Sequence, residues 1–263
     1  MKNTLITLIV LILIVAGVGY LAYRDDAGTM KNAGMLAGDG AHAIATSIVD
    51  YFEGAEGYLA EPSEAGVYPG VVMIHENRGL RPEIRATAEQ LAAEGYRVLA
   101  VDLLGGVAED QDGARALTAQ FDQETGVANM RAAVDFLRAR GSQKIASLGW
   151  CFGGRQSVEL AVSGELLDAT VVYYGGGMAT TTERLAPIDW PVLGVFGGED
   201  QAIPVATVRT FEASLNTLGV ENEIYIYPGV GHAFANPSGM NYAPEATADA
   251  WEKTLAFLKA HLK

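Results

Sequence analysis

Four short stretches carry the residues that could do covalent chemistry. The first is Ser147-Leu148-Gly149-Trp150-Cys151-Phe152-Gly153-Gly154, centred on the only cysteine of the chain. Lys144 to Leu148 is an apolar run that predicts a short buried strand, and Phe152 to Ala161 predicts a helix starting directly after Cys151. A strand that turns into a helix so abruptly forces the turn residue into a strained backbone. Glycines must flank it, because a Cβ there would strike the neighbouring strand or helix. The pattern is G-x-nucleophile-x-G with cysteine in the nucleophile's place. It holds the sulfur above the strand ends, and the helix N-terminus behind it favours thiolate over thiol. Taken alone, the window also fits a buried structural cysteine in a glycine-rich turn.

The other three stretches are His75-Glu76-Asn77-Arg78-Gly79, Gly197-Gly198-Glu199-Asp200 and Gly229-Val230-Gly231-His232, each just after an apolar run that reads as a strand. A nucleophile, a later acid and a still later histidine, all at strand ends, is an order suited to acyl transfer. Cys151 would attack as thiolate while the imidazole of His232 holds its proton. Asp200 would take the other ring N–H, fixing the tautomer and stabilising imidazolium. Glu199 is the rival acid, but Asp200 ends a Gly-Gly-x-Asp turn before Ile203-Pro204. Two backbone N–H groups must face the developing oxyanion, and Phe152 and Asn77 are placed to supply them. His42, His75 and His261 have no comparable partners in the sequence.

The elements that must position these groups alternate along the chain. Ile44 to Ala60 resembles a hairpin. Strands are expected over Val71–His75, Tyr96–Asp102, Ala169–Tyr174, Pro191–Phe196 and Glu223–Tyr227, with helices over Ile84–Glu94, Thr125–Arg140, Val205–Leu218 and Pro244–Leu262. Leu104 to Gln123 reads as a polar, glycine-rich segment. A hairpin followed by strand–helix alternation implies an α/β fold, a mostly parallel sheet with helices on both faces. Reactive groups gather at the C-terminal strand ends of such sheets.

A formal net charge of −14 tells against nucleic acid, whose phosphates need a basic face. One cysteine excludes an internal disulfide. Leu5 to Tyr23 is almost wholly apolar and long enough for a bilayer-spanning helix. A cleaved signal peptide and an uncleaved anchor both fit; the poor small-x-small cleavage pattern and interfacial Tyr20 and Tyr23 favour the anchor. The organisation expected is a signal anchor or signal peptide over 1–25, a linker over 26–43 and an α/β domain over 44–263. That arrangement implies a membrane-anchored protein with the domain on the extracytoplasmic side, or an exported one if the segment is cleaved.

Together His75-Glu76-Asn77-Arg78-Gly79-Leu80, Gly149-Trp150-Cys151-Phe152-Gly153-Gly154, Gly197 to Pro204 and Gly229-Val230-Gly231-His232-Ala233-Phe234 resemble the dienelactone hydrolase (carboxymethylenebutenolidase) family. The resemblance runs from roughly Ile44 to His261. It implies an α/β-hydrolase fold, no cofactor or metal, and hydrolysis of a small ester or lactone through a thioester on Cys151. It also implies that Cys151, Asp200 and His232 act as a triad, and that Glu76 is the glutamate against which the resting thiol leans. A carboxylate beside Cys151 disfavours thiolate and so protects the resting thiol from oxidation. An ion pair with Arg78 or Arg81 is the structural alternative for Glu76.

The chain departs from the family where an arginine after the histidine binds the substrate carboxylate: here His232-Ala233-Phe234-Ala235-Asn236 stands. Dienelactone itself is thus a poor expectation, and Arg78, Arg81 and Arg155 are the remaining candidate anion contacts. The rival functions are a non-catalytic binding protein with a vestigial site and a thiol redox protein using Cys151. The sequence leaves the oligomeric state open.

Overall fold

The computed structural model describes residues 42–263 throughout. Ahead of them it describes only the strands Leu11–Val15, Val18–Arg24 and Met30–Ala33, paired antiparallel in that order. Where the apolar run is described it is extended rather than helical, in keeping with the strand preference of isoleucine and valine. The rest of the expected helix, and most of the linker, lie outside the described residues. No described helix is long and apolar enough to cross a membrane.

From Ile44 onward the chain builds one eight-stranded sheet. Strands β1 (Ile44–Phe52) and β2 (Ala55–Pro62) form the expected antiparallel hairpin, turning at Gly54 with φ +77°. After them come β3 (Gly70–Ile74), α1 (Pro82–Ala93), β4 (Arg97–Val101), α2 (Gln111–Ala119), α3 (Gln123–Ala139) and β5 (Ile145–Trp150). The chain then continues through α4 (Phe152–Val162), β6 (Ala169–Tyr173), α5 (Thr182–Leu185) and β7 (Val192–Gly197). It closes with α6 (Val205–Leu218), β8 (Asn222–Tyr227) and α7 (Pro244–Leu262). The spatial order is β8-β7-β6-β5-β3-β4-β2-β1. Strands β3 to β8 run parallel, and β2 joins β4 antiparallel.

Every residue of β3 to β7 is buried, which requires helices on both faces of the sheet. That is why these strands read as unbroken apolar runs. The segment Leu104 to Gln123 is the exception to the sequence reading, since it contains α2. This helix is nine residues long and buries only Ala114; its start is fixed by the Asp110 carboxylate, which accepts from Gly113 N–H.

The turn from β5 into α4 depends on close backbone approach. A Cβ on Gly149 would lie 2.1 Å from the Gly153 carbonyl oxygen, and one on Gly153 would lie 2.2 Å from that of Ile74. Neither obstacle is a flexible side chain, so the backbones themselves would have to part. Gly153→Ala is expected to cost about 3 kcal/mol of unfolding free energy, an overpacking penalty at its upper end. A urea titration against wild type measures it; an unshifted midpoint would refute this account of the turn.

Candidate active site

Strand register sets the level of the site. Ile74 pairs with Gly149 and Gly149 with Val172, so two residues further on Glu76, Cys151 and Tyr174 fall at one height across three neighbouring strands. Cys151 sits in the turn with φ 52° and ψ −111°, a conformation L-residues rarely adopt. Tyr174 (φ 35°) and Ala233 (φ 58°) are the other described non-glycine residues at positive φ. Tyr174 meets the His232 ring, and Ala233 directly follows His232 in sequence.

His232 arrives on the loop after β8. The buried Phe234 ring packs 5.2 Å from Tyr227 and 5.7 Å from Tyr174, which pins the loop two residues past the imidazole. Asn241 donates to the His232 carbonyl at 2.9 Å. The ring itself stands edge-on to Tyr174, 5.4 Å between centroids. So held, His232 Nε2 lies 3.2 Å from Cys151 Sγ, and Nδ1 lies 2.8 Å from Asp200 Oδ2. Asp200 is buried, and its Oδ1 accepts from the Ala202 and Ile203 amides at 2.8 and 3.0 Å. Glu199, the rival acid, is exposed.

The electrostatics at the sulfur oppose the helix N-terminus and favour the resting thiol that the family resemblance implies. Burial pushes the Cys151 thiol up to about 12, and the charges of Glu76 and Asp200 push the same way. The Phe152 and Asn77 N–H groups donate toward the sulfur and oppose this, without overcoming it. The helix N-terminus behind Cys151 therefore does not yield a resting thiolate: desolvation and two carboxylates outweigh it. Those two amides converge where an oxyanion beside the sulfur would need donors.

Glu76 is held by Asn236, whose amide donates to Oε2, and by the Tyr174 hydroxyl, which donates to Oε1 at 3.4 Å. Burial raises its carboxyl above the ordinary range, against the lowering effect of Asn236, His232, Tyr174 and Arg78. The ion pair with Arg78 or Arg81 is not among the described contacts of Glu76. Burial, then Glu76, push the Tyr174 phenol well above its usual value, which keeps it a donor.

The arginines separate. Arg81 is bound to Glu83, to the Ala108 carbonyl at 3.1 Å and, more loosely, to Glu109. Arg78 reaches the Glu109 carbonyl at 3.5 Å and lines a cavity beside Glu76. Arg155 lies exposed on α4, away from that cavity.

Three residues were not singled out by the sequence reading. Tyr174 and Asn236 carry no spacing signal, although Asn236 stands four places after His232. His75, taken there to lack partners, is fully buried: Leu103 N–H donates to its Nε2 at 3.1 Å, which leaves Nδ1 to donate to the Glu76 carbonyl at 2.6 Å. Its ring stacks 6.0 Å from Phe152, so it braces the oxyanion side of the site.

A parallel sheet in this strand order, with a sharp strand-to-helix turn after β5 and an acid and a histidine after β7 and β8, defines an α/β-hydrolase. Residues 55–262 match the dienelactone hydrolase family, and the chain belongs to that family. It is accordingly a hydrolase. The "Putative carboxymethylenebutenolidase" of Synechocystis sp. is 31% identical over 227 residues, 79% of this chain and 92% of the relative. The protein of the same name from Yersinia pestis is 28% identical over 239 residues, 84% of this chain and 90% of its own. Among solved structures, the "Putative Dienelactone Hydrolase" of Klebsiella pneumoniae superposes with a TM-score of 0.76 at 26% identity, covering 83% of this chain and 99% of that one.

Proposed function

We propose that the protein hydrolyses small carboxylic esters or lactones through a thioester on Cys151. The observation that carries this is the line from Cys151 Sγ through His232 to Asp200, with contacts of 3.2 and 2.8 Å. Two backbone amides point at the same sulfur. Glu76, made more basic by burial, accepts the thiol proton as substrate enters, which also removes the charge that opposes thiolate. The thiolate adds to the carbonyl carbon, and the Phe152 and Asn77 N–H groups bind the oxyanion. The proton held by Glu76 returns through His232 to the leaving oxygen. Water then attacks the thioester with His232 as base and Asp200 holding its tautomer, and the thiol is restored. The names of the relatives, carboxymethylenebutenolidase and dienelactone hydrolase, support the ester or lactone class.

Incubation with p-nitrophenyl acetate and quenching in acid should leave an acetyl mass on the Cys151 peptide during turnover. Turnover with no adduct at any time, and none after slowing deacylation at low pH, would sink the mechanism. A peroxide-reducing thiol needs thiolate at rest, and the raised Cys151 thiol tells against that alternative.

Asn236 bears on pH dependence. Its donated hydrogen bond lowers Glu76 against burial, so its removal raises Glu76 further. If Glu76 must be ionised to accept the thiol proton, Asn236→Ala moves the acid limb of kcat/KM to higher pH. A limb unmoved, or moved down, would free Glu76 from that role.

We also propose that the apolar run Leu5 to Tyr23 places the domain at the outer side of a membrane. Its support is its length and composition. Intact mass of protein extracted from native membranes should include residues 1–25; recovery in the soluble fraction alone would overturn this.

A further inference from the structure

A cavity of about 490 Å³ descends between α1 and α7 against the sheet, and no step above uses it. Its walls include Trp150, Tyr173, Tyr174, Trp251 and Ile84, and the carboxylate of Glu76 closes one part of it. Two loops add to its border. One, Arg78 to Arg81, follows the Asn77 amide; the other, Ala235 to Ser238, follows His232. The cavity therefore borders the two segments that bring the oxyanion donor and the imidazole to Cys151, and it reaches the site at Glu76, Trp150 and Tyr174, which neighbour Cys151 in register or in sequence.

We infer that this cavity is the subsite for the apolar, non-reacting part of the substrate, a medium-length alkyl chain or a single ring. The inference rests on the ester-hydrolase reading and narrows its substrate class. Volume is the first argument: 490 Å³ lies within the range of small-ligand pockets, whereas an acetyl group would leave most of it to water. The second is the wall. Five aromatic side chains line it and offer a hydrocarbon close contact. The third is charge. The carboxylates of Glu76 and Glu83 share the space with Arg78 and Arg81, and Arg81 is already paired with Glu83. Glu76 already accepts from Asn236 and Tyr174, so an apolar group displaces water there without taking the partners of Glu76, Glu83 or Arg81.

Two of the protein's three tryptophans, Trp150 and Trp251, line the cavity, so its filling can be read by fluorescence without turnover. 1-Octanol, which has no bond to hydrolyse, should shift the emission of the full chain saturably. Thr87 also lines the cavity, and its hydroxyl donates to the Glu83 carbonyl within α1, at 3.0 Å. Thr87→Phe narrows the space and should weaken octanol binding at least tenfold. In kinetics, kcat/KM for p-nitrophenyl esters should rise about fourfold per added methylene until the cavity is full. The octanoate-to-acetate ratio should then fall at least tenfold in Thr87→Phe. Alkyl acetates of increasing length test the alcohol side in the same way. Absence of saturable octanol binding in wild type overturns the inference. So does a chain-length ratio that Thr87→Phe leaves unmoved in both ester series. Should hydrolysis itself fail, the octanol arm still decides: binding lost in Thr87→Phe supports the subsite, and binding retained refutes it.

Discussion

Cys151→Ala is expected to lower kcat/KM for p-nitrophenyl acetate by about 10⁴-fold or more, as loss of a nucleophile does when no other group can form the covalent intermediate. The structure offers no substitute. Cys151 is the only cysteine, and among described residues the sulfur is the group that meets both His232 Nε2 and the two inward amides. Alanine fits the left-handed turn no worse than cysteine, because both carry a Cβ, so the fold should survive. A circular dichroism melt separates the two effects: an unchanged transition with lost turnover supports the covalent role. Equal rates in mutant and wild type would leave the arrangement of Cys151, His232 and Asp200 without a reaction.

Glu76→Gln should move two quantities in opposite directions. Glu76 is, after burial, the largest influence raising the Cys151 thiol, so removing its charge brings the thiol down from about 12. A group whose ionisation becomes easier reacts at lower pH, and iodoacetamide labelling of Cys151 should shift its rise toward neutral pH. Acylation by an ester should nevertheless slow by about 10²-fold, because glutamine cannot accept the thiol proton. Stopped-flow measurement of the p-nitrophenol burst reads the second quantity, and labelling rate against pH reads the first. Faster labelling with unchanged acylation would reduce Glu76 to a guard on the thiol. Unchanged labelling would mean its charge never reached the sulfur.

The parts of this molecule that could be read from the sequence are those in which one residue's environment repeats along the chain. Val205–Leu218 and Pro244–Leu262 are helices over the residues their apolar spacing indicates. The buried strands are visible because no position in them meets water. Strand ends could be located for the same reason, and with them Cys151, Asp200 and His232. Helix α2 escaped because it is nine residues long, carries Gly113 in its first turn and buries one alanine. Tyr174 and Asn236 escaped because their meaning comes from strand register and loop packing, which join residues 98 and 160 positions from Glu76. The resting state of the sulfur divides between sequence and fold: the helix behind Cys151 favours thiolate, the family resemblance implies a resting thiol beside Glu76, and the depth that decides for the thiol exists only in the folded chain.

Three side-chain-bearing residues are held in the left-handed region at Cys151, Tyr174 and Ala233. Each such residue costs about 1–3 kcal/mol and persists only where its surroundings leave it no choice. The tension belongs to the whole scaffold rather than to the loops that display it. Transplanted onto a smaller frame, the same short motifs would relax into ordinary turns, and their reactive groups would drift apart while the sequence signature stayed intact.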